Sequence, residues 1–131
     1  MSFGSKKRLV EELTKKQFRD AYVAEHVKTS VPIQIYLLRE QRQWTHSQLA
    51  ERAHTTPTVI ARLEDPDDGR LSLSRLLQLA SAFDVALLVK FVPFTRLFDA
   101  CEETSPATLS APSFMEEWPD IAAWAEEEER C

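Results

Sequence analysis

Trp44-Thr45-His46-Ser47-Gln48-Leu49-Ala50-Glu51-Arg52-Ala53, then His54-Thr55, then Thr56-Pro57-Thr58-Val59-Ile60-Ala61-Arg62-Leu63-Glu64, is the stretch that decides the fold of this chain. Thr45 with Gln48 three residues on is a capping box, in which hydroxyl and side-chain amide each satisfy a backbone N–H at the start of a helix. The pattern predicts a short helix from about Ser47 to Ala53 and a tight turn at His54-Thr55. Thr56 is then a good N-cap and Pro57 fits the first helical position, so a second short helix runs from Pro57 to about Glu64. Ala50 sits where two such helices cross closely and only a small side chain fits. Ile60, ten residues later, packs into the crossing, and Leu63 continues the buried side.

The elements around this pair follow from spacing. Leu9 and Leu13, Phe18 and Tyr22, and Val23 and Val27 are each four apart, so residues 6–29 read as one or two helices. Val31-Pro32 is expected to end or break that run. A new helix is expected from Ile33 to about Arg42, with Ile33, Tyr36, Leu37 and Leu38 on or beside its apolar face. Asp65-Pro66-Asp67-Asp68-Gly69 is a loop. Ser72 can cap a helix over Leu73–Phe83, whose stripe is Leu73, Leu76, Leu77, Leu79, Ala80 and Phe83. Val85-Ala86-Leu87-Leu88-Val89-Lys90-Phe91-Val92, closed by Pro93, reads as a strand. Thr104 to Pro112 reads as a flexible linker. If Asp120 to Arg130 is helical, with Trp118 and Pro119 at its start, then Trp118, Ile121, Trp124 and Ala125 form one apolar side of an otherwise acidic segment.

At 131 residues, 44 % of them hydrophobic, the chain suits one globular domain with a tail and argues against wholesale disorder. The net charge of −5 conceals a strong asymmetry. Residues 1–30 carry +3, residues 31–98 carry +1 and residues 99–131 carry −9. A basic body with an acidic tail is compatible with nucleic-acid binding, because affinity follows local charge placement. The apolar runs are too short to span a bilayer, so no membrane association is expected. Lys6, Lys7 and Arg8 are not followed by an apolar stretch, so no secretory signal is expected. A cytoplasmic location fits the two cysteines, Cys101 and Cys131, which make neither a disulfide framework nor a metal site by themselves. Two glycines, Gly4 and Gly69, leave no phosphate-binding glycine loop. His26, His46 and His54 lack metal-ligand spacing, so neither a metal nor a cofactor is expected. No nucleophile–base or carboxylate pair sits in a recognisable catalytic context, so the chain reads as a non-enzyme.

The paired short helices are the helix-turn-helix arrangement. Trp44 to Ala53, Ile60 to Glu64 and Leu73 to Val85 together resemble the Cro-like, XRE-type phage-repressor family, over roughly residues 31–85. The resemblance implies a mainly α fold, a phage-repressor-like helix-turn-helix bundle. It also implies a dimer that binds operator DNA and regulates transcription, mostly by repression and often of its own operon. It places Thr56, Pro57, Thr58, Ala61 and Arg62 at base-reading positions of the second helix. Arg62 can reach guanine in bidentate fashion, and Thr58 can touch a base edge or a thymine methyl. Phosphate contacts are expected from Thr45 and His46 at one helix N-terminus and from Arg70, Ser72 and Ser74 near another. Arg39 and Glu64 are placed together as a structural ion pair. The family usually has Gln at His46, and Gly at Gln43 and His54, where the backbone favours φ > 0.

Four regions are expected: an N-terminal helical extension (1–30), the DNA-binding domain (31–84), a dimerisation strand (85–98) and an acidic, partly flexible tail (99–131). Val85, Leu87, Leu88, Val89 and Phe91 are the dimerisation residues, through pairing with the same strand of a second copy, since no other strand is evident. The implied partners are a palindromic DNA duplex and a second copy of the chain. A protein partner through residues 113–131 is the alternative use of the tail, as in an antitoxin that binds its toxin. A further alternative is an adaptor that keeps the helical core for protein contacts alone. The structural readings beside these are Trp44 as core, Arg52 as a solvated face residue, and Lys6, Lys7 and Arg8 as either a DNA clamp or a solubilising terminus.

Overall fold

The computed structural model describes residues 4–68, 70–103 and 105–129. Gly69, Thr104 and Arg130, expected in a loop, at a linker start and in a last helical turn, lie outside them, as does Cys131. The described residues form α1 (Gly4–Leu13), α2 (Lys16–Gln41), α3 (His46–Arg52), α4 (Pro57–Leu63), α5 (Leu73–Phe83), α6 (Phe94–Glu102), α7 (Pro106–Leu109) and α8 (Trp118–Glu129).

Helix starts follow the local chemistry closely. Gln48 N donates to Thr45 Oγ1 at 3.1 Å and Thr45 N donates to Gln48 Oε1 at 2.8 Å, so both arms of the capping box are made. Thr56 Oγ1 accepts from Val59 N at 3.3 Å, with Pro57 at the start of α4. Ser72 Oγ accepts from Arg75 N at 3.2 Å at the start of α5. Each cap satisfies a backbone donor that has no partner inside its helix, typically worth about 1 kcal/mol.

The core lies where the second half of α2 meets α3, α4 and α5. Ile35, Leu38, Leu49, Ala50, Ala53, Ile60, Leu63, Leu79 and Phe83 form one buried cluster. Leu49 and Ile60 are fully enclosed, and Ala50 is small enough to let α3 and α4 cross over them. Trp44 is half-buried and lies flat on Phe83, with ring centroids 5.9 Å apart and planes 6° apart.

Three expectations need correction. Val31-Pro32 does not end a helix: α2 runs unbroken from Lys16 to Gln41 with Pro32 inside it. Proline in a helix interior costs roughly 3 kcal/mol because it removes one hydrogen bond and crowds the preceding turn. Here Pro32 is buried on the same side of α2 as Ile35, Leu38 and Arg39, and tertiary packing overrides the local preference. The N-terminal extension and the domain thus share one continuous helix.

The strand expected over 85–92 does not form, and among the described residues there is no β-strand. A strand exists only through a ladder, and within one chain no second segment supplies one. The segment runs on from α5, which ends at Asp84 in the left-handed conformation (φ 59°), with Val85 N donating back to Ala80 O at 3.0 Å.

The region expected to be a flexible linker and a strand end is instead largely helical and docked. α6 takes up Phe94–Glu102, and α7 takes up Pro106–Leu109 behind a Ser105 cap. Gln34 Nε2 donates to Leu109 O at 3.0 Å and Arg42 donates to Ala111 O at 3.0 Å, both across to α2 or its C-terminal cap. Phe114 N donates to Asp84 O at 2.8 Å. Ser113 and Glu116 then exchange hydrogen bonds, Ser113 N to Glu116 Oε1 at 3.1 Å and Glu116 N to Ser113 Oγ at 3.3 Å. The Ser113 backbone bond, more than its side-chain bond, holds the Glu116 carboxyl below its ordinary value. α8 begins at Trp118 with Pro119 next, the start expected for this segment.

Candidate nucleic-acid interface

α4 has two distinct sides. Ile60 and Leu63 are buried and Val59 is half-buried against the core. Thr56, Pro57, Thr58, Ala61 and Arg62 are all exposed. Thr58 and Arg62 are one turn apart, as are Pro57 and Ala61, so they form adjacent rows on one outward surface. Seven residues at 1.5 Å each give a helix about 10 Å long, short enough to lie within a major groove about 12 Å wide.

This surface is held rigidly from beneath. Arg39 on α2 donates from Nε to Glu64 Oε2 at 2.6 Å and from a terminal nitrogen to Glu64 Oε1 at 3.1 Å. Its other terminal nitrogen donates to Trp44 O at 2.8 Å. The two side chains are only 9 % and 7 % exposed, so this forked pair fastens the end of α4 to α2 and, through Trp44 O, to the residue before the α3 cap. The Glu64 hydrogen bond raises the Arg39 pKa further above its already high value, against the opposing effect of burial. The guanidinium is therefore charged at every pH of interest.

Thr45, His46, Arg70 and Ser72, expected at phosphates, have partners of their own. Thr45 uses its hydroxyl as the α3 cap. His46 Nε2 lies 3.1 Å from Glu64 Oε1, which joins α3 to the same carboxylate that Arg39 holds. Arg70 is largely exposed and lies 3.6 Å from Asp68, while Ser72 and Ser74 are exposed at the start of α5. Asp65, Asp67 and Asp68 stand in the loop after α4, and Asp67 N donates to Asp65 Oδ1 at 2.9 Å. The basic groups on this face are thus few and interleaved with carboxylates.

Both turn positions where the resemblance expects glycine have positive φ, 58° at Gln43 and 57° at His54. A side chain in this region carries a steric penalty of about 1–2 kcal/mol.

Several residues that hold the surface in shape carry no local sequence signal. Arg75 donates to Thr55 Oγ1 at 3.1 Å, tying α5 to the turn between α3 and α4. Arg52 is exposed, as expected of a solvated face residue, and also lies over the Trp44 ring with its guanidinium carbon 4.2 Å from the centroid. Arg42 donates to Phe83 O and Ala111 O, both at 3.0 Å, and lies over the Phe83 ring at 5.0 Å. Burial lowers the Arg42 pKa, while the charge of Glu116 raises it. A Trp flanked by Arg42 and Arg52 is the one hint the sequence offers of this stack.

Residues 35–89 match the family model described as Helix-turn-helix. They are a helix-turn-helix domain of the XRE type. The matched span starts inside α2 and ends within the segment after α5, so it contains the whole core and α4. The family is one of DNA-binding transcriptional regulators, and that broad role extends to this domain. No curated protein and no solved structure matches the chain. Among the described residues, no helix is long and apolar enough to cross a membrane, and no cluster of three or more His, Cys, Asp or Glu side chains is arranged to hold a metal ion.

Proposed function

We propose that the chain is a dimeric, sequence-specific repressor that inserts α4 into the major groove. The observation that carries this reading is the outward surface of α4. It is exposed, yet built on a helix whose other side is locked by Ile60, Leu63 and the Arg39–Glu64 fork. On this reading Thr56, Pro57, Thr58, Ala61 and Arg62 meet base edges, with Arg62 as the strongest discriminator. Thr45, His46, Arg70, Ser72 and Ser74 meet phosphates. Carboxylates beside them keep non-specific affinity low, so the protein depends on base contacts and on pairing of two copies.

The segment from Val85 to Val92 supports the dimer. Leu88 is 77 % exposed, Val89 63 %, and Phe91 is fully exposed. Such a run is costly to leave in water, and antiparallel pairing with the same segment of a second copy supplies the missing ladder through Val85, Leu87, Leu88, Val89 and Phe91. Two α4 helices related by that axis would reach half-sites about 34 Å apart. Selection from random duplexes tests the reading. The expected product is a palindromic site, and Leu88→Pro should abolish both the palindrome and the dimer in sedimentation. Recovery of no preferred sequence at low salt would overturn it.

A second reading of the tail has its own observation. Trp118 is 50 % exposed and Trp124 67 % on an otherwise acidic α8, so the docked tail still offers an apolar surface to a protein partner, as an antitoxin would. Co-purification of a cationic protein that is lost in Trp118→Ala, Trp124→Ala would support that use. Loss of duplex binding with retained partner binding would instead favour an adaptor.

A further inference from the structure

α6 meets α2 through a small polar group that DNA recognition does not use. Cys101 Sγ on α6 lies 3.3 Å from His26 Nδ1 on α2. Tyr22 donates its hydroxyl to the same sulfur at 3.7 Å. Tyr22 and His26 are one helical turn apart, so both present to α6 on one side. All three side chains are half-buried, beside the edge-on contact of the Tyr22 and Phe98 rings, whose centroids are 6.4 Å apart.

Only the thiolate form of cysteine is a good nucleophile, and an imidazole within hydrogen-bond reach can take up the thiol proton and stabilise the anion. A phenolic O–H aimed at the sulfur adds a second favourable interaction for the anion. Burial, followed by the hydrogen bond and charge of Cys101, pushes the Tyr22 pKa up, so the phenol keeps its proton and remains a donor. Cys101 is only half-buried, which suits attack by a small reagent.

We propose that Cys101 is a covalent modification site, a nucleophilic thiol activated by His26 and supported by Tyr22 that exchanges with low-molecular-weight disulfides. His26 accepts the thiol proton, and the sulfur attacks one sulfur of the disulfide. A Cys101–sulfur bond forms as the original S–S bond breaks. The small thiol leaves as its thiolate, one for each mixed disulfide formed, and the imidazolium gives the proton to that thiolate where it is basic enough and to solvent where it is not. The adduct stands in the seam between α2 and α6, and α6 follows directly on the exposed segment 85–92, which places the modification at the junction of domain and tail.

The test uses the full chain carrying Cys131→Ser, with dithionitrobenzoate as the disulfide and release of its coloured thiolate as the readout. The folded chain is expected to react about tenfold faster than the same chain in concentrated urea, because activation outweighs partial burial. His26→Gln, with circular dichroism matching the parent, is expected to lose that advantage. A folded rate at or below the unfolded rate overturns the proposal, and so does an unchanged rate in folded His26→Gln. The folded-against-unfolded comparison decides the matter even if the His26 variant fails to fold.

Discussion

α4 and α8 are both short amphipathic helices, and they meet opposite fates. Ile60 of α4 is completely enclosed, whereas Trp124 of α8, a larger apolar group, is left 67 % exposed. The difference lies in what surrounds each helix. α4 is capped by Thr56, crossed by α3 over Ala50 and anchored by Glu64 to Arg39, so cap, packing and charge all act on the same seven residues. α8 is reached through single contacts further up the chain, notably Arg42 to Ala111 and Phe114 to Asp84. Agreement between local and tertiary signals gives α4 a single well-determined placement. The tail is held by fewer and more separable contacts.

That contrast can be broken most sharply at Arg39. Arg39→Ala leaves a buried Glu64 carboxylate without its main partner and is expected to cost about 3–5 kcal/mol, read as a large fall in denaturant midpoint. An unchanged midpoint would remove the distinction between an anchored α4 and a loosely held α8.

Arg42 comes next, because it links the two regions. Arg42→Ala removes donors to Phe83 O and Ala111 O and is expected to destabilise by roughly 1–3 kcal/mol. Limited proteolysis should then cut first within 105–117, ahead of any cut in α3 or α4. Simultaneous cleavage of both regions would show that tail and domain unfold as one unit.

A smaller effect, in the opposite direction, is expected at the turn. His54→Gly relieves a side chain held at φ 57° and should raise stability by ~0.5–1 kcal/mol after allowance for the looser unfolded chain. Thermal unfolding would register this as a modest rise in midpoint. The smallest effect belongs to α8. Trp124→Ala should shift stability by less than about 0.5 kcal/mol, since most of the ring is already in water. A loss of several times that size would place Trp124 in a buried contact and erase the contrast with Ile60.

The same contrast explains what was legible beforehand. Thr45 with Gln48, Thr56 with Pro57, and Ser72 act within one helical turn, so the starts of α3, α4 and α5 could be read directly. Ala50 and Ile60 declared the crossing through size and spacing alone. The resemblance supplied the positive φ expected at Gln43 and His54. Pro32 misled because its local cost is offset by burial against elements far along the chain. Val85 to Val92 has the composition of a strand, but composition cannot supply a ladder. The docking of 94–114 rests on Tyr22, Gln34 and Arg42 meeting residues about seventy or more positions away, and no periodicity records such pairs. The resemblance named the exposed side of α4 residue by residue, while the contacts of Arg52 with Trp44 and of Arg75 with Thr55 have no counterpart in local spacing.

Sequence reading by the outward surface of α4 is the proposal on which the rest depends. It is tested most directly by determining full base preferences, on random duplexes at fixed salt, for the unmodified protein, Arg62→Ala and Arg70→Ala. Arg62→Ala is expected to relax one position in each half-site by about 1–3 kcal/mol and to leave the others in place. Arg70→Ala should weaken all sequences alike and flatten the salt dependence. If both variants lose affinity uniformly with every base preference intact, Arg62 is a backbone contact only, and α4 is not the element that reads the operator.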